Sequence, residues 1–256
     1  MAKLPLEKMM FDAREIVKSA RGQLLDNFGN INAQNKNNRD VASSVVTEID
    51  RKLEHFFKEQ LTEAWPSIGF YGEETGRSGS TGTFWLVDPL DGTNYYVRGI
   101  PMCSSMISLI DRGRVVLSII YDFMNDDTYW AIRGGGAYRN DSPISVSNRP
   151  LKDSLVAFES SLDTVPLIGR LRDKVSLVSY RSSGYESILV ASGKLEAKIC
   201  VKPFGADWDY APGSLLVEEA GGVAVNIGQS GYNYQNHDFV LSNRVVHDEL
   251  IRQGKL

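Results

Sequence analysis

The stretch WLVDPLDGTNYY, residues 85–96, closes an apolar run with two aspartates flanking Pro89 and Leu90, then adds a glycine and a threonine. Taken alone, Asp-Pro-Leu-Asp-Gly is a turn, since proline fixes φ and Asp-Gly is common in tight loops. The run FWLV before it reads as a strand. Just upstream, SIGFYGEE, residues 67–74, is a second short apolar run that also finishes in acids, Glu73 and Glu74. Paired glutamates alone are most simply a solvated face. A third such place is Asp209 in WDYAPG, at the start of a helix, where by itself it reads as an N-cap. Ligands of open sheets gather where strands end and helices begin, so the acids are read together.

Outward from this stretch the chain alternates between helices and strands. Pro5 opens a helix whose stripe of Met9, Met10, Ala13, Val17, Ala20, Leu24 and Phe28 runs to Gly29 and Asn30. NINAQNKNNRDVASS, residues 30–44, reads as a loop or loose hairpin. Thr47 is the expected N-cap of a helix carrying Ile49, Leu53, Phe56, Phe57 and Leu61, with Asp50 in its first turn. TGRSGSTGT, residues 75–83, has no core-forming residue and is expected to be a mobile loop. MCSSMISLI, RVVLSIIYDF and TYWAIR read as a strand meander closed by GGGAYRND. Further strands are expected at SLVAFES, EAKICV, GGVAVN and DFVLSN. Helices are expected near 165–173 and 184–193, after WDYAPG up to Gly221-Gly222, and over 245–253. This pattern divides into an N-terminal α+β part, 1–147, and a C-terminal α/β part, 148–256.

The composition sets bounds. Of 256 residues 42% are hydrophobic and 23% charged, enough for a sizeable core. A net charge of −4 without any block of like charge argues against a nucleic-acid surface. No apolar run approaches the ~20 residues of a membrane span, and the start has no signal-peptide core. Cys103 and Cys200, far apart in apolar stretches, read as free buried thiols of a reducing cytosol. The expectation is a soluble cytoplasmic protein.

Glu73, Glu74, Asp88, Asp91 and Asp209 converging on one sheet edge would repel one another unless cations joined them. An oxygen-only set suits hard ions: Mg²⁺ first, Mn²⁺ also, and Zn²⁺ poorly. His55, His237 and His247 show no ligand spacing. Gly92 lets backbone N–H groups approach a ligand, and Thr93 adds a hydroxyl able to hold a water. Together these describe metal-assisted hydrolysis of a phosphate ester.

GEE, WLVDPLDGTN and WDYAPGSLLVEEAGG, in this order and spacing, resemble the inositol monophosphatase family of Mg²⁺-dependent, lithium-sensitive phosphatases. The likeness runs from about Ile16 to Asn243, with GGGAYRN and LVASGKLEA as weaker landmarks. It implies a layered αβαβα sandwich, a homodimer, and two or three Mg²⁺ ions. It further implies that Glu73, Asp88 and the Leu90 carbonyl hold a first ion. Asp88, Asp91 and Asp209 would hold a second, with Glu73 sharing a third. Thr93, supported by Asp50 and with Glu74 nearby, would orient a metal-activated water. The Gly92 and Thr93 amides would meet the phosphate, and displacement would be direct.

The departures lie on the substrate side. Tyr95 stands where the family commonly has asparagine, and Arg39 and Ser44 replace a usual lysine and aspartate. Lys202 occupies the place of a glutamate that bonds inositol hydroxyls, and could pair with an anionic group or be a solvated loop residue. Arg181 is a further substrate-contact candidate or a surface ion-pair residue. The expected substrate is a small phosphorylated polyol or sugar. Fructose 1,6-bisphosphate, a 3′-phosphonucleotide, histidinol phosphate, or a non-catalytic regulatory role are the alternatives.

Overall fold

The stripe that begins at Met9 does wind into helix, but in two pieces. Helix α1 spans Leu6–Ser19 and α2 spans Arg21–Asn27. The expected single helix breaks because the Ala20 N–H turns back to the Val17 carbonyl at 3.3 Å, a tighter bond than the α ladder uses. The apolar stripe survives the break, with Ala20 and Leu24 fully buried. The structure, a computed structural model, describes residues 4–30, 34–35, 45–46, 48–160, 169, 171 and 174–252. Strands β1 (Gln34–Asn35) and β2 (Val45–Val46) pair antiparallel, as a loose hairpin would. Thr47, Arg39, Ser44 and most of the helix expected near 165–173 lie outside the described residues.

Helix α3 spans Glu48–Ala64 and buries Ile49, Leu53, Phe57 and Leu61, one per turn. Next come β3 (Gly69–Gly72), β4 (Gly76–Ser78), β5 (Thr83–Asp91), the single turn α4 (Thr93–Tyr96) and β6 (Ser104–Asp111). The meander continues with β7 (Arg114–Asp122), β8 (Asp127–Ile132), β9 (Gly136–Arg139) and β10 (Ser142–Pro143). They form one eight-stranded sheet in the order β10-β9-β8-β7-β6-β5-β3-β4. Part of the 75–83 segment is therefore not loop but an edge strand, pairing Phe70 with Ser78. A backbone ladder needs no core-forming side chains, which is why composition misled there.

The second half supplies β11 (Ser154–Ser160), β12 (Val175–Val178), α5 (Ser183–Ala191), β13 (Ala197–Val201) and α6 (Asp207–Glu219). It ends with β14 (Val223–Asn226), β15 (Phe239–Ser242) and α7 (Arg244–Arg252). Its sheet runs β12-β11-β13-β15-β14. Strand β12 was not expected. Helix α6 starts at Asp207 rather than after WDYAPG, and carries Pro212 and Gly213 within it. Both residues read as breakers, yet the Pro212 carbonyl accepts the Ser118 hydroxyl at 2.6 Å and Gly213 meets Ser187 too closely for any Cβ.

Alternation along β5 assigns the layers. Trp85 and Val87 face the core shared with α1 to α3, while Phe84 and Leu86 face the core shared with α5 and α6. Those two helices also cover Ala157, Cys200 and Leu241 on the second sheet, whose far face (Val156, Ile199, Val240) packs on Val246 and Leu250 of α7. The result is the αβαβα stack. Both cysteines are buried and unbridged. Among the described residues no helix is long and apolar enough to cross a membrane.

Candidate active site

Strands β3 and β5 run parallel with Gly72 level with Val87, so Glu73 and Asp88 leave them side by side. On its other edge β5 carries a bulge. Asp88 pairs with Met106 and Asp91 with Ser104, three steps on one strand against two on the other. Regular pleating would send residues 88 and 91 to opposite faces; the extra residue turns them to the same one. Pro89 suits this place because it has no N–H to lose from the ladder, and its carbonyl takes the Ser105 hydroxyl at 2.7 Å. Carboxylate oxygens of Asp88, Asp91 and Asp209 consequently lie within 4.8 Å of one another.

Gly92 follows in the left-handed region, φ 80° and ψ 33°. A Cβ there would stand 2.7 Å from the Met102 carbonyl, so both conformation and space demand glycine. The turn it makes starts α4 and aims the Thr93 hydroxyl inward, 3.1 Å from Asp50 Oδ1 and 2.9 Å from the Leu90 carbonyl. Asp50 comes from the first turn of α3 and is buried. The hydroxyl has one proton for these two acceptors. A cation drawing on the Leu90 carbonyl would leave that proton to Asp50 and fix the direction of the Thr93 lone pairs.

Asp91 is held from behind by the start of α5. Its Oδ2 accepts the Ser182 hydroxyl at 2.6 Å, the Gly184 N–H at 2.9 Å and the Ser104 hydroxyl at 3.3 Å. Its Oδ1 accepts only the Ser183 N–H at 3.0 Å among these contacts, which leaves this oxygen the freer one for a ligand. Burial pushes the Asp91 carboxyl up, opposed by Ser182 and by Lys198. Asp209 sits in the first turn of α6, where its Oδ2 takes the Ala206 N–H at 2.7 Å. It is therefore a cap placed inside the helix, not the residue before it. Burial, then Glu73, and with them Asp91 and Glu159, drive the Asp209 carboxyl well above the usual range. Such crowding of oxygen donors is what a hard divalent cation relieves, so the donor set fits Mg²⁺.

Glu74 follows Glu73 on a turn held by its backbone. Its N–H and that of Thr75 donate to Glu54, at 2.7 and 2.5 Å. Glu54 lies one helical turn after Asp50 and is fully buried. A Cβ at Gly72 would stand 2.4 Å from the Glu54 carboxyl. Sequence reading missed Glu54, Ser182, Ser183 and Gly184; for Glu54 the signal was its i+4 spacing from Asp50. Leu90 donates its N–H to Asp88 Oδ1 at 3.0 Å. Arg181 is exposed, adjoins Ser182 and lies over the Phe204 ring at 5.5 Å. Lys202 is exposed, with its N–H bonded to Asp238 at 2.5 Å. Both adopt left-handed backbone, φ 49° and 46°.

A family model described as the inositol monophosphatase family matches residues 6–254. A histidinol-phosphatase of Chlorobaculum parvum is 35% identical over 217 residues, covering 82% of this chain and 82% of that protein. Inositol monophosphatase 2 of Saccharomyces cerevisiae is 31% identical over 233 residues, covering 82% of this chain and 79% of that protein. Among solved structures, the Thermotoga maritima IMPase superposes with a TM-score of 0.84 at 25% identity, covering 96% of each chain.

Proposed function

The chain belongs to the inositol monophosphatase family and is a phosphoric monoester hydrolase of that family, and on this premise we propose that it releases phosphate from a small phosphorylated polyol or sugar by direct attack of water. The observation that carries the reading is the bulge in β5, which gathers Asp88 and Asp91 beside Asp209. Asp88, Asp91 and Asp209, with Glu73 and the Leu90 carbonyl, are the groups proposed to hold Mg²⁺. Two or three ions are proposed, with Mn²⁺ as a substitute. When bound, the ions would supply Lewis-acid stabilisation of charge on the phosphoryl oxygens.

The rest of the proposed mechanism belongs to this chain's own residues. Asp50 accepts the hydrogen bond of the Thr93 hydroxyl, so the Thr93 oxygen is oriented to accept a hydrogen bond from the attacking water and fix its direction. Glu74 stands next to Glu73 on the turn braced by Glu54 and is proposed to help position that water. The Gly92 and Thr93 amides, at the start of α4, are proposed to receive the phosphate. Arg181 and Lys202 are proposed to meet the organic part of the substrate or a second anionic group on it. Ligands come from both proposed parts of the chain, 1–147 and 148–256. A homodimer working in the cytoplasm, without nucleic-acid or membrane partners, completes the proposal.

Histidinol phosphate is the second reading, favoured by the 35% identity to a histidinol-phosphatase. One experiment separates these readings: phosphate release with Mg²⁺, with and without lithium. The substrates are inositol 1-phosphate, fructose 1,6-bisphosphate, 3′-phosphoadenosine 5′-phosphate and histidinol phosphate. One preferred substrate inhibited by lithium is expected. Turnover of none, with Mg²⁺ bound, would overturn the substrate class and favour a regulatory role.

A further inference from the structure

Beyond Ser183, which donates its N–H to Asp91, lies a buried ion pair that no step above uses. Lys198 projects from β13 at the middle of the second sheet and is 0% exposed; Glu186, on α5, is 1% exposed. Lys198 Nζ lies 3.1 Å from Glu186 Oε2, and also donates to the Ser183 hydroxyl at 2.7 Å and the Ser183 carbonyl at 3.4 Å. Glu186 is itself tied down, its Oε1 accepting the Tyr180 N–H at 2.8 Å. On its other side the ammonium lies over the ring of Tyr210 at 5.5 Å, the residue after Asp209. The Tyr210 hydroxyl accepts the Gly205 N–H at 2.8 Å and donates to Glu159 at 2.9 Å.

One ammonium thus touches the residue that grips Asp91 and the residue next to Asp209. Stability alone does not account for such a pair. Taking two charges out of water is costly, and apolar replacements of similar volume are often neutral or better. The contact that gives it purpose is Ser183. The Ser183 N–H is the donor given above for Asp91 Oδ1, the freer oxygen of that carboxylate. Lys198 grips the same residue by its hydroxyl and its carbonyl, so the direction of that N–H is set from the second sheet.

We propose that the Lys198–Glu186 pair is a positioning element of the metal site, fixing Asp91 through Ser183 and the first turn of α6 through Tyr210. It deepens the function above and rests on Asp91 being a metal ligand. Residues that orient a ligand from behind commonly contribute about 10–100-fold to metal affinity.

The test is Mn²⁺ binding to the full-length chain freed of metal by chelation, followed by electron paramagnetic resonance without substrate. The double variant Glu186→Gln/Lys198→Met removes both charges, leaving neither ion unpaired, and is expected to weaken Mn²⁺ binding by about 10-fold or more. Ser183→Ala removes the hydroxyl that Lys198 grips but keeps the N–H, and is expected to weaken binding about 3-fold; it decides the matter alone if the double variant does not fold. Asp91→Asn serves as the control. Wild-type affinity in the folded variants, with affinity lost in Asp91→Asn, overturns the positioning role and leaves the metal site standing. Wild-type affinity in Asp91→Asn overturns the assignment of Asp91 as a metal ligand, and the positioning role with it.

Discussion

Replacing Glu54 by glutamine changes one oxygen for an NH₂ group in a fully buried position and leaves the volume the same. In the native turn both carboxyl oxygens are acceptors, for the Glu74 N–H at 2.7 Å and the Thr75 N–H at 2.5 Å. The amide can accept only one of them; the other N–H then faces a donor. Losing a charge-assisted bond and leaving a buried N–H unmet costs about 2–4 kcal/mol. For a chain of this size that lowers Tm by roughly 4–16 °C. The larger effect should be on turnover. Glu73 and Glu74 are carried by this turn, and a displacement of about 1 Å in a catalytic group can cost about 10²-fold. Glu54→Gln should therefore reduce kcat/KM about 10- to 100-fold and raise the Mg²⁺ concentration for half-maximal rate. Thermal melts and Mg²⁺ titrations of the rate measure both. A protein with wild-type Tm and wild-type Mg²⁺ dependence would refute the reasoning, and a lowered Tm with unchanged Mg²⁺ dependence would reduce Glu54 to a fold brace.

Asp91→Asn should abolish turnover and lower Tm, because its NH₂ must face either the Ser183 or the Gly184 N–H, a cost that relief of the crowded charge offsets only in part; phosphate release and melting check it. Thr93→Ala should keep Mn²⁺ binding but lower kcat about 10²-fold, and unchanged kcat would take Thr93 out of the mechanism. Gly92→Ala puts a side chain at φ 80° and against the Met102 carbonyl, and should cost about 2–5 kcal/mol, visible in urea unfolding. In metal-free protein the raised Asp209 carboxyl stabilises the fold fully below its unfolded pKa, and this contribution is lost as pH rises through the folded value. The fall in Tm from about pH 4 to about pH 8 should therefore be shallower in Asp209→Asn than in wild type, as calorimetry would read it.

The acids and Gly92 were legible because each lies in a short motif where the chain itself changes direction. Strand ends, a proline and a glycine with left-handed backbone are local facts, and locality is what a sequence displays. The layers followed for the same reason, since alternation along β5 and one-per-turn spacing on α3 state which faces are apolar. What stayed hidden depends on contacts across the fold. Glu54 looked like any glutamate of an amphipathic helix, because its partners are backbone N–H groups 20 and 21 residues away. Ser182, Ser183 and Gly184 carry no motif, and their meaning appears only when α5 points its first turn at Asp91. Asp209 was legible as a helix start, but that α6 carries Pro212 and Gly213 within it rests on contacts with Ser118 and Ser187, far away in sequence.

The same distinction explains why the site spans the two sheets. The first sheet can bring Glu73, Asp88 and Asp91 to one edge unaided, since β3 and β5 are parallel neighbours and the bulge turns the aspartates together. Asp209 joins them from α6, and α5 holds Asp91 from below, so the two central helices decide how near the acids stand. Those helices pack on both sheets through one continuous core that includes Leu86, Ile188, Leu215 and Leu241. A loosened core would part the carboxylates, and the burial and the repulsion that together raise Asp209 would then fall away. Packing therefore keeps the acids closer together than they would remain alone, and a site held in that condition is poised for a hard cation.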